Sequence, residues 1–243
     1  MNKTWLVFLN SLIKMPGAKI DRAAFLRETF PTLPQAPMNT MLWSSPADVL
    51  RRDVIDMKAH KIINAHTRDV VAVSAITGIP GGYAMLATIP ADTLNYYYHI
   101  LRLSQKLGYL YGYPDMLDER GNLTLEGSMV LTAFMGVMSK VTSAQDLVKI
   151  IAREVAGHIT ENSVSRILHK VMAMPLVSAI INKISQKLGV TISAHSASRA
   201  LSKVVPLVSG VICGVIAYNN FKPAAHRLCY ALKVHPVSRQ LSA

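Results

Sequence analysis

Apolar side chains recur along this chain at helical spacing, and two long stretches carry no formal charge. Near the start, Trp5, Phe8, Leu9 and Leu12 fall on one side of a short amphipathic helix, read as packed on the rest of the protein. Residues 15–46 follow as a linker-like stretch, broken by Pro16, Pro31, Pro34, Pro37 and Pro46. One compact helix, Asp21–Phe30, sits between those breaks with Asp21 as its N-cap. Ser45 with Pro46 at the first helical position then signals a long helix reaching Asp69. Val49, Val54, Ile55, Ile62 and Ile63 line one side of it. Arg51, Arg52, Asp53, Asp56, Lys58 and Lys61 line the other.

The charges then stop. Val70–Ala91 is a run of 22 residues without a formal charge, long enough as one helix to cross a hydrocarbon core of roughly 30 Å. Pro80 and Gly81-Gly82 interrupt it, so a kink or two antiparallel arms are expected near Gly78–Gly82. Ser74, Gly78 and Gly82 form a small-residue stripe that permits close helix approach. A second long helix, Leu94–Tyr111, is rich in tyrosine and is stopped by Gly112 and Pro114. An apolar helix is expected over Leu123–Met138. The next is capped by Thr142 or Ser143 and ends near Gly157. Another spans Ser163–Ile184, interrupted by Pro175, and ends near Gly189.

The second uncharged run, Val204–Phe221, has 18 residues with Pro206 near its start and Gly210 and Gly214 four apart. A further helix carrying Arg227 is expected after Asn219. The two runs share an outline, which suggests a weak internal repeat. Only Val190–Ser193 alternates as a strand would, and it is too short to found a sheet. The expected fold is therefore all-α, an irregular helical domain with two glycine- and proline-containing apolar hairpins packed together. Its expected parts are an N-terminal helix and proline-punctuated linker over 1–45, a helical domain over 46–235 and a flexible tail over 236–243.

Composition changes this picture through charge. The net charge is +12, yet all 14 acidic residues lie at or before Glu161. After it come ten basic residues and no acid: Arg166, Lys170, Lys183, Lys187, Arg199, Lys203, Lys222, Arg227, Lys233 and Arg239. Such asymmetry points to an anionic partner. Phosphate is its natural form, on lipid or on nucleic acid; a solvated basic face is the plainer reading. The dispersion of these cations, with no stacking platform among Tyr218, Phe221 and Tyr230, favours lipid over nucleic acid. Mean hydropathy is +0.28, between soluble and polytopic membrane proteins. Cys213 and Cys229 read as reduced core thiols. No cleavable secretion signal is evident, and the cytoplasm is the expected compartment.

A search for chemistry finds little. The eight histidines make no HExxH and no i, i+4 pair, so no metal or other cofactor is expected. No GxSxG, P-loop or GxGxxG occurs, and Ser74, Asp92 and His99 are not ordered into a triad. No catalytic motif is found, which leans against an enzyme and leaves an enzyme of unknown type as the last of the readings. Asp92, at the end of the first uncharged run, must be solvated, paired or at a helix terminus. Its readings are an N-cap on a helix from Thr93, a buried ion pair with another segment, or a proton or ligand role. Tyr96, Tyr97 and Tyr98 fit helix aromatics better than an interface belt.

The passage Gly78-Ile-Pro-Gly-Gly-Tyr-Ala-Met-Leu-Ala-Thr-Ile-Pro-Ala-Asp92, then Leu101-Arg102 and Tyr111-Gly112, resembles the EcsC protein family. That family's pattern is a glycine-rich apolar turn, an aspartate, an arginine-bearing helix and a closing Tyr-Gly. A second similar passage runs from Lys203-Val-Val-Pro206 through Gly210 and Gly214 to Asn219. Together they reach over residues 48–232. The family usually sets a proline just after its aspartate, whereas here Pro90 precedes Asp92. The resemblance implies a helical, membrane-associated bacterial protein without an established activity, and supplies no catalytic residue. The expected partner is a membrane surface or anionic lipid contacted by the basic C-terminal third. A protein partner or second copy, for a soluble helical scaffold, and a nucleic-acid module are the alternatives.

Overall fold

Thr124 starts the central helix of this protein. Its Oγ1 accepts from the Gly127 backbone N–H at 2.9 Å, an N-cap for α6, Leu125–Met138. Every residue of α6 from Gly127 to Met138 is buried. A helix apolar all round belongs in a core, and α6 is surrounded accordingly. Helices α5 (Ala91–Leu110), α7 (Thr142–Val155), α8 (Glu161–Ala173), α9 (Pro175–Ser198) and α10 (Ser209–Val234) all pack on it. In this computed structural model, residues 3–77, 91–156, 161–198 and 209–238 are described. The fold is all-α. Among the described residues the one β feature is an isolated bridge between Leu117 and Leu123.

The expected linker is folded into the same core. Helix α1, Lys3–Ile13, buries Trp5, Leu9, Leu12 and Ile13, and the Trp5 indole N–H donates to Thr132 Oγ1 at 2.9 Å. Asp21 caps α2, Arg22–Thr29, through Ala24 N–H. A further helix, α3, Gln35–Trp43, lies where only a linker is expected. Its prolines are tolerated because Pro34 precedes it and Pro37 falls in the first turn, where a helical N–H has no partner. Ile20, Phe25, Leu26, Phe30, Met38 and Met41 from this stretch are buried.

Several boundaries differ from expectation. Ser45 caps only a 3-10 turn, Pro46–Asp48, because the Asp48 carboxylate folds back to accept Ser45 N–H at 3.2 Å and closes it. The long helix α4 starts at Arg52 and continues beyond Asp69 to Thr77. Neither Thr142 nor Ser143 caps α7; Val141 holds that position without a side-chain bond. Lys140 adopts a left-handed φ of 59°, and Val141 N–H returns to Gly136 O at 2.9 Å, which turns the chain straight into α7. Pro175 breaks α8 from α9 as expected. Helix α9 runs through Gly189 and through Val190–Ser193, which is helical.

Helices α4, α5 and α10 form one side of the molecule. His66 meets His99 and Asp56 meets Tyr111, so α4 and α5 are antiparallel. His60 meets His226 and Asp56 meets Lys233, so α4 and α10 are antiparallel too. Among the described residues α4 and α10 make the most extensive helix contact. The first uncharged run therefore starts in α4 and ends in its antiparallel neighbour, and is not one straight span. No separate helix begins after Asn219 at the end of the second run: Ser209–Val234 is one continuous helix with Pro223 inside it. Pro223 has no N–H to offer the Asn219 carbonyl one turn earlier, and Asn219 and Asn220 are exposed, where such a carbonyl is accessible to solvent.

Gly112 closes this side. Its φ is +87°, and a Cβ there would lie 2.1 Å from Val237 O and 2.2 Å from Ser45 Oγ. Val237 N–H donates to Tyr111 O at 3.0 Å. Pro236, Val237 and Ser238, expected in a flexible tail, are buried against this turn.

Candidate functional site

The Tyr-Gly motif is the centre of a closed polar network. Tyr111 donates to Asp56 Oδ1 at 2.9 Å and touches Cys229 Sγ at 3.4 Å. Lys233 Nζ reaches Asp56 Oδ2 at 2.6 Å. Burial, then the Cys229 and Asp56 contacts, push the Tyr111 phenol well above its ordinary value. Burial likewise raises the Cys229 thiol, which keeps it protonated and a poor nucleophile. The network satisfies the Tyr111 hydroxyl and the Asp56 carboxylate, with Lys233 at its exposed edge.

Arg102 belongs to a second cluster, which sequence reading missed. His66 Nδ1 and His99 Nδ1 lie 3.3 Å apart, with the residues only 3% and 6% exposed. One nitrogen must donate and the other accept, so the two rings cannot both be charged. Burial first, then Lys106, His99 and Arg102, pushes His66 down to about 3. Burial also lowers His99 against the opposing pull of Asp69. Arg102 lies over the Tyr98 ring at 5.4 Å, and its Nε is buried with no hydrogen-bond acceptor among the described residues. The cluster was within reach of the sequence. His66 and His99 stand equally far from Gly82-Tyr83, where a reversal is expected.

The remaining motif residues scatter. Gly78, Gly82 and Pro206 lie outside the described residues. Asp92 is the second residue of α5, inside the helix rather than a cap on one from Thr93, and its side chain lies outside the described part. Gly210 and Gly214 are on α10, Gly214 buried, and Asn219 is exposed on the same helix. Tyr97 is buried, in edge contact with Phe8 and Tyr96, as a core aromatic.

The basic C-terminal third splits in two. On α10 the cations are engaged within the protein. Lys222 Nζ bonds Tyr218 OH at 2.9 Å, Arg227 Nη2 donates to Met138 O at 2.5 Å, and Lys233 pairs with Asp56. His226, Arg227 and Tyr230 line an open groove of about 380 Å³ with Gln145 and Pro223. On α8 and α9, Arg166, Lys170 and Lys183 are exposed. The Lys187 side chain, Arg199 and Lys203 lie outside the described residues.

The α8–α9 corner carries a feature that charge counting missed. The two helices bend by 81° at Pro175. Ala173, Met174, Pro175 and Leu176 are consecutive and exposed, Met174 by 39% and Leu176 by 65%. Beneath them Leu168 and Val171 of α8 and Val177 and Ile181 of α9 are buried. Among the described residues no single helix is long and apolar enough to cross a membrane. The pair Arg166–Ala173 and Pro175–Gln186 reaches that length and composition only as a bent unit. No group of three or more His, Cys, Asp or Glu among the described residues is placed to hold a metal ion. Comparison with models of protein families, with curated proteins and with solved structures finds no match for this chain.

Proposed function

We propose that this chain is a helical protein that docks peripherally on anionic lipid through its basic C-terminal third, and that its likeness to the EcsC family reflects membership of it. One observation carries the reading. Arg166, Lys170 and Lys183, exposed on α8 and α9, flank an exposed apolar corner, in a part of the chain with no acidic residue. Lysines near an anionic surface each contribute about 1 kcal/mol of attraction. An apolar surface beside them adds to binding through the hydrophobic effect. The test is co-sedimentation with phosphatidylcholine vesicles, with and without phosphatidylglycerol, at rising salt. Binding should require the anionic lipid and weaken as salt screens it. Absence of binding to anionic vesicles at low salt, or equal binding to neutral ones, defeats the proposal.

A further inference from the structure

The α8–α9 corner has the shape of a wedge. Its inner faces are fixed to the core by Leu168, Val171, Val177 and Ile181, and its tip is Ala173-Met174-Pro175-Leu176. On the outer face of α8, Lys170 and Arg166 stand about one and two turns back from the tip. On α9, Lys183 lies seven positions after Leu176 and so on the same face. At about 1.5 Å of rise per residue, Lys170 is roughly 6 Å and Lys183 roughly 10 Å along its helix from the tip. Apolar side chains of interfacial helices sit about 5–10 Å into the headgroup and acyl boundary. Lysine stems lie along apolar surface while their ammonium groups stay among the phosphates. With the 81° bend shared between the two arms, the tip is the lowest point and the lysines stand several ångströms above it. Glu126, at the start of α6, lies 3.4 Å from His169 of α8.

We propose that this corner inserts into one leaflet of an anionic bilayer, with Met174 and Leu176 below the phosphates and Arg166, Lys170 and Lys183 among them. The inference rests on the peripheral docking proposed above and adds depth and orientation to it. The 81° bend returns the chain to the side it entered from, so the wedge enters without crossing.

The test places a reporter at the tip. Leu176→Trp is made with Trp43→Phe, because Trp43 is itself exposed whereas Trp5 is buried. Vesicles of phosphatidylcholine and phosphatidylglycerol, with or without acyl-brominated lipid, are added. The tip tryptophan should shift to the blue and be quenched by the brominated chains. Met174→Asp with Leu176→Asp should weaken vesicle binding at least about tenfold, with circular dichroism and Tm unchanged. If Leu176→Trp disturbs the fold, Met174→Trp serves in its place. Sedimentation of the parent protein with vesicles, but no quenching at the tip, overturns the wedge and leaves surface docking standing. No sedimentation overturns both. A dimer in solution that the aspartate pair dissociates assigns the corner to a second copy and also overturns the wedge.

Discussion

The α4–α5–α10 side and the α8–α9 corner treat polar and apolar groups in opposite ways. On the first, charged and titratable groups find partners within the fold: Tyr111 with Asp56, His66 with His99, Arg227 with Met138 O, and the exposed Lys233 with Asp56. On the second, apolar groups turn outward and cations stand beside them. Both draw on the same acid-free C-terminal third. A count of positive residues along the chain therefore does not mark a surface. On α10, Lys222, Arg227 and Lys233 each hold a partner in the fold.

The comparison breaks most sharply at Gly112. Gly112→Val puts a β-branched residue at φ +87°, with its Cβ inside the contact distance of Val237 O and Ser45 Oγ. A loss on the order of 4 kcal/mol or more is expected, read by urea unfolding. The partnered side has no slack at this turn. The same substitution size at Ala173, exposed on the corner, should leave stability nearly unchanged.

Acid should act next most strongly, and again through the partnered side. Both His66 and His99 are held below their ordinary values, His66 near 3, in a surrounding of Arg102, Lys106 and Asp69. The folded state thus keeps them neutral, while the unfolded chain takes up protons near pH 6.5. Stability is complete above that pH and falls as pH drops toward the folded value. The slope is about 1.4 kcal/mol per pH unit for each proton that only the unfolded state binds. His226 and His235, also lowered but less buried, contribute in the same direction. Urea midpoints at pH 7.5 and 5 measure the total, and His66→Asn should flatten the slope.

Arg227→Met sharpens the contrast between the two groups of cations. The stem keeps its packing, and the charge-assisted bond to Met138 O at the end of α6 is lost. About 1.5–3 kcal/mol of stability should go with it. Vesicle binding, measured on the folded fraction, should be unaltered. A fall in binding without a fall in stability would place Arg227 with the α8–α9 cations.

Much of this division was legible beforehand and part of it was not. The all-α fold follows from helical spacing in α1, α2, α5 and α6 and from the break at Pro175. Gly112 read correctly as a stop, since no other residue fits its φ and its neighbours. Helix α3 was hidden because prolines were read as breakers without regard to the first turn, where they do no harm. The continuity of α10 was hidden because Asn219 was read as the end of the apolar run and the start of a further helix, whereas Ser209–Val234 is one helix. The His66–His99 pair and the engagement of Lys222, Arg227 and Lys233 depend on which helix faces which. One sequence reports the faces of a helix and not its partner. The apolar corner escaped notice because it is four residues long, and exposure rather than hydrophobicity distinguishes it.

The smallest expected stability effect is the most telling. Lys170→Ala with Lys183→Ala removes two exposed cations. Exposed substitutions away from caps, cores and networks change stability by no more than about 0.5 kcal/mol, so the urea midpoint should stay in place. If each lysine contributes about 1 kcal/mol near an anionic surface, vesicle affinity should fall roughly fivefold for each. The salt dependence of binding should flatten with it, because fewer screened contacts remain. This is the inverse of Arg227→Met, where stability falls and binding does not. A double alanine variant that loses stability would show these lysines bound into the fold like those of α10. Unchanged stability with unchanged binding would remove α8 and α9 from the docking surface, and the distinction between the two sides with them.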